Sequence, residues 1–367
     1  MQQKSYKCNM RILSPIHIGA GTNKKYGPYE YINAKAKFNK EIVPIIKRIN
    51  IPEYYKTLSE EKKDELLEHL EDPNFKLSQL EDKTIKNFGK YTSINYSTKK
   101  VDEIQEHIKT NQKLYIPGSS IKGAINTALI YGAISIDDIQ TDNLIKHGKI
   151  IKKTYNSYLN KVFSSNERYY AQNNIMRFMQ VTDTNTIKIP RIYDIISIQA
   201  TTNNSYNYYN RNANTVRSFI ETIDSKSLSF NLNIKYDEKI LEKINLEDKK
   251  NKLDINYIKK AIYNFSQDYI EYELDYIEKY NVDILSEFYE NLLSKNSKNK
   301  PLLRVGSGSG FMMTTINMKI KQEDPYLFDK IRQLNKRSYD YEYPKSRKIT
   351  CKENKPLGWT QLKLQEE

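Results

Sequence analysis

Ser119, Ser120 and Lys122 stand where a phosphate could be held. They lie in Leu114-Tyr115-Ile116-Pro117-Gly118-Ser119-Ser120-Ile121-Lys122-Gly123-Ala124-Ile125-Asn126-Thr127-Ala128-Leu129, which reads as a short strand, a tight turn and a helix. Pro117 fixes φ, Gly118 permits the turn, and Ser119 or Ser120 is placed to cap the helix by accepting from a first-turn N–H. Such a start gathers free N–H groups, a positive dipole end and a cation. The plain alternative is an ordinary capped helix.

Other residues offer acid–base or backbone chemistry. His17 is a candidate general base, and Glu30 and Asp183 are candidate acids, each isolated in sequence. An isolated Asp after a strand more often caps or turns. Gly306, Gly308 and Gly310 alternate with Ser307 and Ser309, so backbone there can approach a ligand or partner closely. The run is not a dinucleotide fingerprint, because its third glycine comes one residue early, and no Lys-Ser/Thr pair follows as in a P-loop.

These residues need elements to position them. Ile121, Ile125, Ala128 and Leu129 form one buried face on the helix after Gly118. Residues 6–13 alternate as a strand; Pro15 then breaks it, and Gly19 and Gly21 allow close approach. Residues 228–236 alternate cleanly as a half-buried strand, and Ile255, Ile258, Ile262, Phe265 and Tyr269 open a helical lobe running to about Leu293. Residues 59–72 read as an acidic surface helix with Leu66, Leu67 and Leu70 inward. Val101, Ile104 and Ile108 suggest another short helix, residues 138–163 a basic helical stretch, and residues 175–181 a strand. Residues 199–215, rich in Asn and Tyr and free of acids, read as a loop or long hairpin tip. A last strand holds Trp359, the only tryptophan.

Composition narrows the function classes. The 367 residues carry a net charge of +14. Residues 1–58 hold 11 Lys/Arg against 3 Asp/Glu, as do residues 145–220, whereas residues 237–290 hold 14 acids against 8 bases. A basic excess confined to some segments suggests a face for a polyanion, although Lys-rich composition alone also supplies solvated lysines. Two cysteines, Cys8 and Cys351, are too few for a disulfide framework or a zinc site. No apolar run approaches a membrane span and the N-terminus has no apolar signal core, so a cytoplasmic protein is expected.

Four stretches occur in a fixed order: Pro15-Ile16-His17-Ile18-Gly19-Ala20-Gly21, Ile116-Pro117-Gly118-Ser119-Ser120-Ile121-Lys122-Gly123-Ala124, Gly306-Ser307-Gly308-Ser309-Gly310-Phe311 and Pro356-Leu357-Gly358-Trp359. Together they resemble the RAMP superfamily of CRISPR systems, and within it the family of fifth Csm subunits of type III-A effector complexes. Val181-Thr182-Asp183-Thr184 and Tyr343-Pro344-Lys345-Ser346-Arg347 fall where that family has similar runs. The resemblance implies an α+β chain with a ferredoxin-like, RRM-type core over residues 1–200, interrupted by helical insertions. A second, degenerate module would follow over residues 201–367, with a helical lobe at about 238–293. It also implies a subunit that caps the backbone of the complex and holds the 3′ portion of the crRNA. Neighbouring Csm subunits are its implied partners, with a recruited nuclease as a further one. RNA contacts would fall on His17, Gly19, Gly21, Lys24, Lys25, Ser119, Ser120, Lys122, Gly123, Asn126, Gly306, Ser307, Gly308, Ser309 and Gly310. Related subunits that cut target RNA carry an aspartate after the His-Ile-Gly run; here the only carboxylate between Ile16 and Ala36 is Glu30. A non-catalytic subunit without metal or cofactor is therefore expected. The alternative is a RAMP endoribonuclease that processes CRISPR RNA with His17 as base.

Overall fold

The computed structural model describes residues 1–367 except 22–23, 136–144, 147–148, 151–155, 157–158, 166–171, 212–213, 226, 314–315 and 335–341. Its fold is mixed α+β, built on two main sheets. The first sheet runs Met179–Val181, Ser227–Tyr236, Gln2–Ile12, Trp359–Glu366, Leu302–Arg304, with every neighbour antiparallel. Alternation decides its faces. Tyr6, Cys8, Met10, Leu228, Phe230, Leu232, Ile234, Leu362 and Leu364 point inward, while Lys7, Asn9, Arg11, Ser229, Asn231 and Lys363 are exposed on the other side.

The inward face packs against two helices. In Gly118–Ala133 the residues Ile121, Ile125, Ala128 and Leu129 are buried as their spacing predicts. Helix Ile255–Tyr280 starts where the Asp254 carboxylate accepts from the N–H groups of Asn256 and Tyr257, and stops at Asn281 in the left-handed conformation (φ 51°). The expected lobe is thus divided, and its second helix is Ser286–Lys295.

The second sheet runs Lys25–Tyr26, Ile104–Gln105, Ser218–Thr222, Arg191–Ala200, Gly89–Asn95, Glu41–Ile49, Tyr31–Phe38. Arg191–Ala200 pairs in addition with Tyr206–Tyr208 and Ser346–Thr350. Both sheets draw strands from either side of residue 200. Residues 51–88 share a small core with Ile32 and Ile49 of the second sheet, around Tyr54, Leu66, Phe75, Leu77 and Ile85.

Several local expectations change. The residues around Ile104 and Ile108 are extended, and Lys109–Thr110 turns back on Lys113–Leu114 through Asn111 and Gln112 at positive φ. Leu67, read as inward, is 48% exposed, while Leu66 is buried. Residues 175–181 begin as a 3-10 turn, Ile175–Phe178, before the strand Met179–Val181. Most of residues 138–163 lies outside the described residues, and Ile145–Lys146 pairs antiparallel with Lys149–Ile150. The Asn/Tyr-rich stretch is a stepped hairpin: Tyr206–Tyr208 pairs back on Ile198–Ala200, and Asn210–Arg211 pairs with Asn214–Thr215. No helix among the described residues is long and apolar enough to cross a membrane.

Candidate nucleic-acid interface

The four ordered stretches, which span the chain from Pro15 to Trp359, meet at one junction. Gly358 N–H donates to Pro15 O at 2.9 Å, Val305 N–H to Gly358 O at 2.8 Å, and Ser307 N–H to His17 O at 2.8 Å. His107 joins the fourth stretch to the rest. Its Nδ1 accepts from Ile18 N–H at 3.1 Å and its Nε2–H donates to Tyr115 O at 3.0 Å, two residues before Pro117.

Glycine is required at this junction for an internal reason. A Cβ on Gly306 (φ +84°) would sit 2.5 Å from His17 O, and one on Gly358 (φ +90°) would sit 2.4 Å from Val305 O. The partner that the alternating glycines approach is thus, at its first member, the chain itself. Gly308 is moderately crowded by Leu357, and a Cβ on Gly310 would meet nothing within 4 Å. Ser309 Oγ donates to Gly306 O at 2.9 Å, Ser307 is exposed, and Gly19 and Gly21 are exposed on the neighbouring turn. Lys24 is exposed, while Lys25 is paired with Glu103 at 2.6 Å.

His17 is 4% exposed, and its Nδ1–H donates to Glu221 O at 2.7 Å. Burial pushes its imidazole below the usual range, against the opposing pull of the Glu221 carbonyl. Burial likewise takes His107 down to about 3. Beneath them the wholly buried Glu221 carboxylate accepts from the Tyr26 and Tyr91 hydroxyls, His107 N–H and the Lys109 ammonium at 2.5–3.0 Å. Glu30, a candidate acid, pairs with Arg48 at 3.2 Å, and Arg48 in turn pairs with Glu106. A general base needs its proton donor within about 3.2 Å; a buried His17 with one nitrogen fixed on a carbonyl is suited to holding the turn in place.

The helix start differs from its reading. Neither serine caps it: Pro117 takes the N-cap position, and Asp183 Oδ1 accepts from Gly118 N–H at 2.8 Å. Asp183 is therefore a cap. It comes so close because a Cβ on Gly118 would lie 2.1 Å from Val181 O, which only glycine tolerates. Lys122 Nζ donates to Met176 O and Met179 O at 2.8 and 2.7 Å, and burial lowers its pKa. It ties the Met179–Val181 edge strand to the helix. Ser119 and Gly123 stay exposed, and Asn126 shares their side of the helix, with its Oδ1 buried and unpaired among the described residues.

Two arginines belong to the site, Arg304, which sequence reasoning missed, and Arg347, which it saw only as part of the Tyr343–Arg347 run. Arg304, nearly buried, donates to Leu357 O, Tyr269 Oη and Gly308 O at 2.8–3.0 Å and so holds the glycine loop from below. Arg347 donates to Glu273 at 2.6 Å and lies 3.8 Å from the Tyr276 ring centroid. Both line a cleft of about 330 Å³ beside Gly308, Ser309 and the exposed Lys348. The available signal was an Arg ending an otherwise apolar strand just before the glycines. Among the described residues, no group of three or more His, Cys, Asp or Glu could hold a metal ion.

The family model of the RAMP superfamily matches residues 9–312. A Methanocaldococcus jannaschii protein described as CRISPR system Cms protein Csm5 is 26% identical over 311 residues, which is 74% of this chain and 67% of that protein. A chain in the cryo-EM structure of a Csm-crRNA-target RNA ternary complex of a type III-A CRISPR-Cas system is similar with a TM-score of 0.69. It is 20% identical, over 98% of this chain and 100% of its own. The crystal structure of T. onnurineus Csm5 is similar with a TM-score of 0.61 and 18% identity, over 96% and 99% of the two chains. At those identities the two structures speak to fold.

Proposed function

The chain belongs to the RAMP superfamily, and from that premise we propose that it is a non-catalytic crRNA-binding subunit of a type III-A CRISPR effector complex. It caps the backbone of the complex near the crRNA 3′ end and supports crRNA maturation and antiviral defence in the cytoplasm. Its partners are the crRNA, neighbouring Csm subunits and a recruited nuclease. As the ferredoxin-like, RRM-type core we read the five-stranded antiparallel sheet with Gly118–Ala133 and Ile255–Tyr280 packed on it, which extends that core from the expected residues 1–200 to elements on both sides of residue 200.

The observation that carries this reading is the meeting of the His17 turn, the Tyr115–Gly118 helix approach, the glycine loop and Gly358 at one junction. None of the four forms a site alone. Joined, they present exposed backbone and small side chains at Gly19, Ser119, Gly123, Ser307 and Gly310, with Lys24 exposed three residues after Gly21 and Lys348 exposed on the cleft beside Gly308. Small residues let a sugar–phosphate backbone approach closely, and exposed lysines neutralise it without reading sequence.

The test is assembly of the complex on a repeat–spacer RNA with and without this chain, followed by nuclease footprinting. The expected result is protection of the crRNA 3′ portion only when the chain is present. An unchanged footprint and unchanged crRNA length would overturn the reading.

A further inference from the structure

The outward face of the five-stranded sheet carries a row of cations with no cross-strand ion pair among the described residues. In the register, Lys235 lies opposite Gln3 and Lys363 opposite Asn9, while Lys7 and Arg11 belong to the central strand itself. Gln3, Lys7, Asn9 and Arg11 share one side of that strand, so Lys235, Lys7, Lys363 and Arg11 all point the same way. All four are exposed, and none takes part in an ion pair with a described residue. From Gln3 to Arg11 is eight residues, so the row spans about 27 Å. Between the cations stand Asn9, Ser229, Asn231 and Gln365, all exposed and neutral.

Exposed sheet faces usually gain stability by setting opposite charges across strands. Here Lys7 faces Asn231 and Gln365, Asn9 faces Ser229 and Lys363, and Arg11 faces Ser227 and Gln361. Three acids lie near the row: Glu367, whose N–H donates to Ser5 O between Gln3 and Lys7, Asp237, two residues beyond Lys235 and paired with the Met1 amine, and Asp183, committed to Gly118. The Arg11 end runs into the junction, because Leu13 N–H donates to Trp359 O and Pro15 accepts from Gly358.

The geometry points to a track for single-stranded RNA across this open face, continuing from the glycine-loop junction. Lys235, Lys7, Lys363 and Arg11 would neutralise successive phosphates, and the Asn, Ser and Gln side chains would meet sugar hydroxyls. No aromatic side chain lies in that row, so the contact is to backbone and does not select sequence. The inference rests on the RNA-binding reading above and extends its contact beyond the junction.

The test uses the full chain, fluorescently labelled oligouridine of about 15 nucleotides and a salt titration. The variant Lys7→Gln, Arg11→Gln, Lys235→Gln, Lys363→Gln removes the row. The control Lys62→Gln, Lys83→Gln, Lys86→Gln, Lys99→Gln changes net charge equally at exposed lysines elsewhere. Loss of four phosphate contacts should reduce the slope of log K against log salt by about 3 and weaken binding at least tenfold near 0.1 M salt. The control should move affinity by no more than about twofold. Equal losses in both variants, or an unmoved slope in the first, would overturn the track while leaving the junction intact. Wild-type protein that binds no RNA would instead overturn the reading it rests on, and the track with it. Intact RNA binding with lost subunit assembly would assign the face to an acidic protein surface, against the proposal.

Discussion

The helix start at Pro117–Lys122 and the glycine loop at Gly306–Gly310 both read as phosphate cradles, yet the fold treats them differently. At the helix start the chain supplies its own anion and its own acceptors: Asp183 takes the Gly118 N–H, and Lys122 is bound to two carbonyls. At the glycine loop, the space for a side chain differs from end to end. Gly306 is pressed against His17 O and Gly308 O is held by Arg304, while Gly310 faces open space. A run of backbone donors and glycines marks where something approaches closely. Whether that is a ligand or a distant part of the chain depends on long-range contacts that local spacing does not encode.

The largest expected effect separates the two ends of the glycine loop. Gly306→Val places a side chain 2.5 Å from His17 O at φ +84°, and should cost on the order of 3–5 kcal/mol and abolish RNA retention. Gly310→Ala meets no atom within 4 Å, so only its positive φ opposes it, at about 1–2 kcal/mol. Denaturant unfolding of both variants measures the gap. Equal losses would mean that the loop is uniformly constrained and the distinction false.

A pH series sharpens the comparison next, because the histidines lie under the junction. His107 is held at about 3 when folded against roughly 6.5 when unfolded. Since its folded pKa is depressed, the unfolded chain binds the extra proton, and stability falls as pH drops below about 6.5 toward 3. Between pH 7 and pH 5 this amounts to about 2 kcal/mol, and His17, also lowered, acts in the same direction. Melting temperatures at the two pH values should reveal it. A protein equally stable at both would show that the junction accepts the protons.

Lys122→Met is expected to be smaller, about 1–2 kcal/mol, since it leaves Met176 O and Met179 O without their donor. Its salt slope for RNA should stay within experimental error of the wild type's. A slope lower by about 0.7 would show instead that the ammonium reaches a phosphate.

Much of the fold is legible wherever one periodicity governs a whole element. The Tyr6–Ile12 alternation, the Leu228–Ile234 alternation and the Ile121-Ile125-Ala128-Leu129 face all fall as their spacing predicts. The residues around Ile104 are different. Extended backbone there is fixed by pairing to Ser218–Thr222, more than a hundred residues away, and helix-like spacing in a short run competes poorly with that. The site follows the same division. The four motif stretches are visible in sequence. The roles of Glu221 and Arg304 are not, because each is a lone charge in an apolar strand whose partner, Lys109 or Tyr269, lies far along the chain; Arg347 stands in a visible run, but its pairing with Glu273 is not visible there. Asp183 could be read as a cap, but not as the cap of a helix beginning 65 residues earlier.

The smallest expected effect bears most directly on whether the helix start touches RNA. Asp183→Asn keeps an oxygen for the Gly118 N–H, so the cap survives and stability should change by less than about 1 kcal/mol. What it removes is a full negative charge at the helix end where a phosphate would arrive. Two such charges about 4–5 Å apart repel by roughly 1 kcal/mol in water, so the substitution should tighten RNA binding about threefold to fivefold at low salt. The gain should fade near 1 M salt, where the screening length falls to about 3 Å. If affinity does not move at any salt, RNA does not pass over Gly118, and Ser119, Gly123 and Asn126 leave the interface together. A loss of affinity would carry a different meaning: the Asp183 carboxylate would then be holding the helix start in the geometry that RNA requires, and the chain's own anion would belong to the site.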